Sequence, residues 1–365
     1  MHPVSRLLPL VALLAACADS ASTAPPATSA PTPPLPTADP WAAVRARVSS
    51  VPVANLVVIV GDRSGRLLTI ERGTLSTQSP LRIASVSKWL SGYGIYALTE
   101  QGRMSLADRP QRYLPFWTQD ASDLRARVTL ESLLAFTSGF NYPPDDAGCL
   151  QDPMTTVQQC AQSFYQRGAS TEPGSAYFYG DAHLQIAGAM VERATGQEWR
   201  TFFATEVAPR IGLTTTQFSL PSQRNPRVAA GAVSTVNDME TFLRRLLRGE
   251  LVRDLEAYRR ERTAAATFLS TVTPLQVLRL DWRYGLGFWR ECDDATWSSR
   301  CASSMVLSSP GGFGSTPWIS FDEGYYAMIA MDEQIVAGEP ASVASVRLEQ
   351  ALQPLISAAL ATLRR

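Results

Sequence analysis

The sequence predicts an α/β (α+β) fold in which one sheet is formed from both chain ends and a mainly helical domain is inserted between them. Strand-like patterns occur between residues 56 and 71 and return only after residue 283, with a mostly helical middle. Because an apolar sheet face must be buried against another layer, the two strand groups are expected in one sheet flanked by helices. Apolar residues make up 45% of the 365 residues and charged residues 18%, which favours a large core over disorder.

The N-terminus predicts export. Residues 1–16 have the pattern of a signal peptide, with Arg6 ahead of an apolar run over residues 7–16. That run is too short to cross the roughly 30 Å core of a bilayer. Cys17 closes a Leu-Ala-Ala-Cys stretch that resembles a bacterial lipobox, and the resemblance implies a lipid anchor on this cysteine. An ordinary secretory signal with an incidental cysteine is the alternative.

The segment after the cysteine predicts a tether. Residues 17–40 are rich in Ala, Pro, Ser and Thr and lack the apolar residues needed for a core. The folded domain is therefore expected over residues 41–365. Ala18 follows the cysteine, and known lipoproteins without Asp there commonly go to the outer membrane. We expect a lipid-anchored protein on the periplasmic face or the surface of a bacterial outer membrane.

Periodicity and breakers predict the elements of the folded domain. Gly102 and Gly196 follow two of the helical patterns, and Thr235 lies three residues before Asp238 at capping spacing. Pro354 predicts a kink in the last helix. Helices are predicted over residues 41–51, 86–101, 128–134, 183–195, 235–247 and 341–363, and strands over 56–60, 67–71, 284–290, 304–308, 318–322 and 325–331.

Four cysteines in the folded domain predict two disulfides. An even number in an exported protein favours disulfide bonds. Three pairings are possible, and the simplest joins Cys149 to Cys160 and Cys292 to Cys301. A zinc site is the alternative, but no Cys-x-x-Cys is present and His183 is the only histidine outside the signal peptide. No metal is predicted.

Charge and motif content exclude several functions. Lys+Arg is 33 and Asp+Glu is 33, so the chain has no electrostatic signature of nucleic-acid binding. No Walker loop is present, and the nearest dinucleotide pattern, Gly92-x-Gly94-x-x-Ala97, lies inside a predicted helix, so no cofactor is predicted. The absence of Gly-x-Ser-x-Gly argues against an α/β-hydrolase. His183 is interpreted as a structural residue of a helix.

A serine and a lysine at a predicted helix start point to nucleophilic catalysis. Ser85 and Lys88 are three residues apart and therefore share one helix face. Lys88 is the only lysine in the chain, whose other 32 basic residues are arginines. A neutral lysine amine can take a proton from a hydroxyl, whereas an arginine cannot release its proton near neutral pH. The helix N-terminus also offers free N–H groups to an oxyanion.

Several stretches around this pair, in order, resemble the serine hydrolases related to class C β-lactamases. The resemblance covers about residues 53–332 and implies a β-lactamase-like fold with an antiparallel sheet. The matching stretches are residues 81–88, 100–106, 113–115, 133–139, Pro173-Gly174 with Tyr179-Gly180-Asp181, and residues 230–239.

The resemblance also implies roles for individual residues. Ser85 is the expected nucleophile, Lys88 its base or proton relay, and Tyr179, rather than Tyr177, a second proton carrier. The expected oxyanion hole combines the N–H of Ser85 with one from the family's third motif, which corresponds here to residues 310–313. No cofactor is implied, and the expected partner is a small-molecule or short peptide substrate.

The chain departs from the family pattern at three points. Phe136 replaces the histidine of the stretch Leu-Leu-x-His-Thr-Ser-Gly. Asp181 replaces an asparagine, and its carboxylate would favour the charged form of Lys88. In the third motif Pro310 stands where lysine or histidine is expected, followed by Gly311, Gly312 and Phe313.

The third-motif departure favours neutral substrates. Pro310 has neither charge nor N–H for a substrate carboxylate, and only an arginine from elsewhere, such as Arg283 or Arg290, would supply one. We therefore expect a hydrolase of neutral esters or amides that forms an acyl-enzyme on Ser85. The alternatives are a cell-wall D,D-peptidase, penicillin-binding protein or β-lactamase, and a binding lipoprotein without turnover.

Overall fold

The computed structural model describes residues 39–144, 148–292, 294 and 296–365. The predicted signal peptide, Cys17 and the tether up to residue 38 lie outside these residues. Within the described part of the chain, no helix has the length and apolar character needed to cross a membrane.

The strands and helices follow the predicted order, with strands near both ends and helices between them. The described residues also form four short helical turns: 3-10 turns at Ala84–Val86, Pro110–Arg112 and Leu124–Arg127, and a π-helical turn at Phe203–Val207. The strands are β1 (Leu56–Asp62), β2 (Arg66–Arg72), β3 (Leu81–Arg82), β4 (Ala176–Phe178), β5 (Gln217–Phe218), β6 (Ala232–Ser234), β7 (Thr267–Ser270), β8 (Arg283–Tyr284), β9 (Trp289–Arg290), β10 (Val306–Ser308), β11 (Thr316–Ser320), β12 (Tyr325–Ala330), β13 (Ile335–Val336) and β14 (Glu339–Pro340). The helices are α1 (Ala42–Ser49), α2 (Ser87–Glu100), α3 (Leu130–Leu134), α4 (Gly148–Gln151), α5 (Val157–Arg167), α6 (Ala182–Thr195), α7 (Trp199–Phe202), α8 (Ala208–Ile211), α9 (Val236–Leu247), α10 (Leu255–Tyr258), α11 (Thr273–Leu278), α12 (Ser299–Ser303) and α13 (Ala341–Leu363).

The main sheet is built from both chain ends, which confirms the predicted fold class. Its seven strands have the order β2-β1-β12-β11-β10-β9-β8, and all neighbours are antiparallel. The first and last parts of the sequence meet where Val57 lies opposite Ala330. The long helical middle of the chain runs between β2 and β8.

The sheet separates two cores because successive side chains of a strand point to opposite faces. Val57 and Ile59 of β1 pack in the larger core with α2 and the helical domain. Val58 and Val60 face the other way and pack with the apolar side chains of α1 and α13. All four side chains are fully buried, and each such burial stabilises the fold by about 1.5–3 kcal/mol.

Helix boundaries follow the capping residues in the sequence. The hydroxyl of Thr235 accepts a hydrogen bond from the N–H of Asp238 and starts α9, as predicted. Thr129 caps α3 in the same way, so this helix begins at Leu130 rather than at residue 128. Gly196 ends α6 in the left-handed conformation that glycine favours. Helix α13 continues through Pro354.

The prediction of one strand over residues 284–290 is wrong. The segment forms a hairpin, with β8 and β9 joined by a turn in which the N–H of Gly285 donates to the carbonyl of Phe288. Gly287 has a φ of +89°, and a Cβ atom there would lie 2.2 Å from the carbonyl oxygen of Lys88. The turn therefore needs glycine, and it packs directly against α2.

Two other strands differ in their bounds. The predicted strand 304–308 begins only at Val306 in β10, because Ser304 follows the C-terminus of α12. The predicted strand 318–322 is shifted toward the N-terminus in β11, because residues 321–324 form the turn into β12.

The structure forms both predicted disulfides, Cys149–Cys160 and Cys292–Cys301. The bonded cysteines are 11 residues apart in the first disulfide and 9 residues apart in the second, so each bond closes a short loop. In the chain-entropy model, a loop of this size stabilises the folded state by roughly 2–3 kcal/mol.

Candidate active site

Ser85 lies in a short turn whose backbone is strained. The 3-10 turn Ala84–Val86 directly precedes α2. Ala84 has a φ of +44°, a left-handed conformation that costs a non-glycine residue about 1 kcal/mol or more. The turn connects β3 to α2 and places Ser85, which is partly exposed, at the N-terminal end of the buried helix.

Lys88 is buried beneath Ser85 and has three hydrogen-bond acceptors. Its Nζ atom lies 3.1 Å from Ser85 Oγ, 2.9 Å from Asp181 Oδ1 and 3.1 Å from the carbonyl oxygen of Ala229. Only 1% of the lysine is exposed. A buried ammonium needs such partners. The same three directions also suit a neutral amine, with its lone pair toward Ser85 and its two N–H bonds toward the other acceptors.

A second cation, Arg227, binds the same carboxylate. Its Nε lies 3.2 Å from Asp181 Oδ2, and its Nη2 donates to the same oxygen. Burial alone would raise the pKa of the Asp181 carboxyl, but Lys88 and Arg227 hold it below its usual value. Sequence analysis missed Arg227. The only signal for it was indirect, since a buried Asp181 in place of asparagine requires compensating positive charge.

Tyr179 lies next to Lys88 within an aromatic cluster. The lysine Nζ is 4.8 Å from the centroid of the tyrosine ring. The ring stacks on Trp289 at 5.9 Å and meets Tyr284 edge-on at 6.5 Å. Tyr177, the other candidate in this run, is fully buried and stacks on Phe268. The cluster therefore fixes the Tyr179 ring against the catalytic candidates.

His183 packs against the segment that leads into Tyr179-Gly180-Asp181, the second motif of the family pattern. This agrees with its interpretation as a structural residue. Its Nε2 lies 3.0 Å from the carbonyl oxygen of Phe178, which requires the proton on Nε2. Nδ1 then accepts from the hydroxyl of Ser138 at 2.7 Å. Phe136, which stands at the family's histidine position, stacks on the imidazole at 4.9 Å. Full burial lowers the pKa of His183 to about 4, so the ring is neutral at pH 7.

The third motif packs against the nucleophile turn. Ser309 Oγ donates to the carbonyl oxygen of Ser85 at 3.1 Å. A Cβ atom on Gly311 would lie 2.4 Å from the carbonyl oxygen of Ile83, so this approach requires glycine. The N–H of Gly311 donates to Ser315 and is therefore engaged. The remaining N–H groups of this motif, on Gly312 and Phe313, come next along the chain, and Pro310 has none.

Arg283 and Arg290, the possible sources of a cation for a substrate carboxylate, bind other groups of the protein. Arg290 is buried, and its Nη2 donates to the carbonyl oxygens at the end of α12, including that of Ala302 at 3.0 Å. Arg283 pairs with Asp281 and lies over the ring of Phe268. Neither side chain is therefore free to bind a substrate carboxylate. Neither of the two arginines that could have supplied a cation from outside the third motif does so in this arrangement.

One further arginine lies beside the third motif. The guanidinium of Arg82 stacks on the ring of Phe313 at 4.1 Å and pairs with Asp332 at 3.1 Å. Together with Lys88 and Arg227, it is a cation in contact with motif residues, and each of the three has a carboxylate partner.

A protein-family model named Beta-lactamase matches residues 42–351. The chain is 28% identical over 220 residues to monacolin J acid methylbutanoyltransferase of Aspergillus terreus. The match covers 52% of this chain and 52% of that protein, so the chain spans about half the length of the curated relatives it matches.

Solved structures share the fold. A candidate beta-lactamase from Bacteroides dorei DSM 17855 superposes with a TM-score of 0.75 at 22% identity, covering 87% of this chain and 98% of the other. EstCE1, described as a hydrolase with promiscuous acyltransferase activity, gives a TM-score of 0.69 at 17% identity, covering 86% and 97% of the two chains.

The buried His183 predicts a pH dependence of stability. The folded state keeps the ring neutral down to a pKa of about 4, whereas an unfolded chain protonates it below its ordinary value of 6.5. Unfolding therefore takes up a proton between these values, and the free energy of unfolding falls as the pH drops from 6.5 to 4, by about 3 kcal/mol. Urea unfolding of wild type and His183→Gln at pH 7, 5.5 and 4 measures this. The stability difference between them should shrink toward pH 4, and a constant difference would contradict the prediction.

Proposed function

The chain belongs to the Beta-lactamase family, and from this we propose that it is a serine hydrolase that forms an acyl-enzyme on Ser85 and acts on neutral esters or amides. The observation that carries the proposal is the 3.1 Å contact between Ser85 Oγ and the Nζ of the buried Lys88. This is the distance at which a hydroxyl can pass its proton to an amine.

The contacts around Lys88 support a proton-transfer cycle. As Ser85 Oγ bonds to the substrate carbonyl carbon, its proton passes to the neutral amine of Lys88. The oxyanion takes N–H donors from Ser85 and from Gly312 or Phe313. The carbonyl then re-forms as the bond to the leaving group breaks, and that group receives a proton through Tyr179 or Lys88. Water next attacks the acyl-enzyme, the bond to Oγ breaks, and Ser85 regains its proton.

The charges near the site support a neutral substrate. The basic side chains of Lys88, Arg227 and Arg82 each contact a carboxylate of the protein. A substrate carboxylate would have to displace one of these partners or lose water without gaining a new partner, and either costs free energy. Pro310 adds no donor. An uncharged acyl group meets none of these costs.

Acyl transfer to an alcohol is the second candidate. The sequence relative from Aspergillus terreus is named as a methylbutanoyltransferase, and one structural neighbour is described as a hydrolase with acyltransferase activity. Both reactions share the acyl-enzyme and differ only in whether water or an acceptor hydroxyl takes the acyl group.

We also propose that the protein is exported and lipid-anchored at Cys17, on the periplasmic face or the surface of an outer membrane. The support is the Leu-Ala-Ala-Cys stretch that ends at this cysteine and the composition of the following tether. The two disulfides agree with an oxidising compartment.

A substrate panel tests the proposed function. Short-chain p-nitrophenyl esters should be hydrolysed, with nitrocefin and D-Ala-D-Ala peptides turned over weakly or not at all, because each basic side chain described beside the motifs already has a carboxylate partner. Ser85→Ala serves as the blank and should lose all turnover with little change in thermal stability. Adding an alcohol to the ester assay and measuring the new ester detects acyl transfer.

The panel also separates the alternatives. Nitrocefin turnover that is lost in Ser85→Ala would establish a β-lactamase, and D-Ala release would establish a D,D-peptidase. No labelling of the wild type by a fluorophosphonate probe would establish a binding protein without turnover. Undiminished ester hydrolysis by Ser85→Ala would refute the serine mechanism.

Lys88→Arg tests whether the lysine moves a proton. Arginine keeps the positive charge but cannot release its proton near neutral pH. The rate of ester hydrolysis should therefore fall by about 10²-fold or more, the scale of a lost general base. Steady-state kinetics with p-nitrophenyl esters measure this. Near-native kcat would mean that Lys88 acts only as a fixed positive charge.

Cys17→Ser tests the lipid anchor. In cells fed a labelled fatty acid, the wild-type chain should carry the label and sediment with membranes, because a Cys17 lipid supplies the attachment. The variant should lack the label and appear in a soluble fraction. Equal labelling of the two chains would overturn the assignment of Cys17.

A further inference from the structure

The carboxylate of Asp181 joins two cations in a single buried group. One carboxylate oxygen contacts Lys88 at 2.9 Å, and the other accepts two hydrogen bonds from Arg227. Asp181 and Lys88 are each 1% exposed in their side chains, and Arg227 is 21% exposed. The three charges therefore interact with little screening by water.

The net charge of the group beside Lys88 is the same here as in the family pattern. There, a neutral asparagine stands beside the lysine. Here, the carboxylate of Asp181 and the guanidinium of Arg227 together have zero net charge, so Lys88 again faces a neutral group. We infer that Arg227 is a positioning residue of the active site, whose guanidinium neutralises Asp181 so that Lys88 can still accept the proton of Ser85. This inference rests on the proposed function.

Without Arg227, the carboxylate would act against the base. An opposite charge in direct contact favours the charged form of an amine by about one to three pH units. In the charged form that this contact favours, the three N–H donors of Lys88 would leave no lone pair for Ser85. Arg227 offsets this attraction with a second positive charge on the far oxygen of the same carboxylate.

The other groups facing Lys88 do not supply this compensation. In the 3-10 turn that precedes α2, the neighbour of Lys88 is the uncharged hydroxyl of Ser85. The second motif contributes Tyr179, whose ring lies 4.8 Å away, and α6 contributes His183, which is neutral at pH 7. The remaining acceptor is a backbone carbonyl, that of Ala229. Among the described residues in these contacts, Asp181 is the one anion and Arg227 the cation that balances it.

The backbone of Arg227 also holds the third acceptor of Lys88. Its carbonyl accepts hydrogen bonds from the N–H groups of Ala230 and Gly231. This turn contains Ala229, whose carbonyl contacts the lysine. On the other side, Nη2 of Arg227 donates to the carbonyl of Pro144 at 2.9 Å. The same residue thus fixes the charge and the geometry around Lys88.

Opposite pH shifts in two single variants test the inference. The pH profile of kcat/KM is measured with a p-nitrophenyl ester, using Ser85→Ala as the blank. Arg227→Gln leaves a lone carboxylate beside Lys88, so the acid limb should move up by about one pH unit or more, with about tenfold lower activity at neutral pH that recovers in alkali. Asp181→Asn leaves a lone cation, so its acid limb should move down.

The double variant gives the decisive result. Asp181→Asn with Arg227→Gln restores a neutral site, and its acid limb should return to the wild-type position, so the two single effects are strongly non-additive. Arg227→Lys should recover part of the Arg227→Gln defect. Arg66→Gln is the matched control, because Arg66 is a similarly exposed arginine paired with Glu240 outside the site, and its profile should stay at the wild-type position.

A structural role alone predicts a different outcome. If Arg227 only stabilises the fold, Arg227→Gln should lower activity by one factor at every pH, and the double variant should be no better than the single variants; this would overturn the inference. If no ester is hydrolysed, the pH dependence of fluorophosphonate labelling replaces turnover. Absent labelling refutes the proposed function, whereas labelling with unshifted profiles refutes only the role of Arg227.

Discussion

The buried amine of Lys88 is the polar group around which this protein is organised. A basic side chain that is 1% exposed is stable only if hydrogen-bond partners surround it. Ser85, Asp181 and the carbonyl of Ala229 supply them from three separate parts of the chain. The requirement to satisfy this buried group therefore fixes where α2, the start of α6 and the loop before β6 lie relative to one another.

Further hydrogen bonds lock the same three segments together. Ser91 on α2 donates to the carbonyl of Val228, and Gln185 on α6 accepts from the N–H of the same residue. The N–H of Ala232 donates to Ser87 at the first turn of α2. The polar side chains that surround the site are thus part of the core, and they determine its geometry as much as the apolar packing does.

Local features were predictable from the sequence, and long-range pairings were not. The capping residue Thr235 and the spacing of Ser85 and Lys88 act within one helical turn, so their patterns predict structure directly. Arg227 contacts Asp181 across 46 residues of sequence, and no spacing rule marks such a pair. The sequence prediction also missed the hairpin at Gly287, where the contact that requires glycine, with the carbonyl of Lys88, comes from a distant part of the chain. The partners of Arg290 were also not predictable, because one of them lies in α12, a helix absent from the predicted pattern.

The pairing of β1 with β12 delays assembly of the candidate site until nearly the whole described chain is present. The β1–β2 hairpin has only β12 as its other neighbour in the sheet, and an isolated hairpin is marginally stable in water. Closing a contact between Val57 and Ala330 requires nearly the whole described chain and is slow for that reason. Ser309, which holds the carbonyl of Ser85, also belongs to the late segment. A partly synthesised chain therefore carries Ser85 before the third motif is present to complete the candidate site.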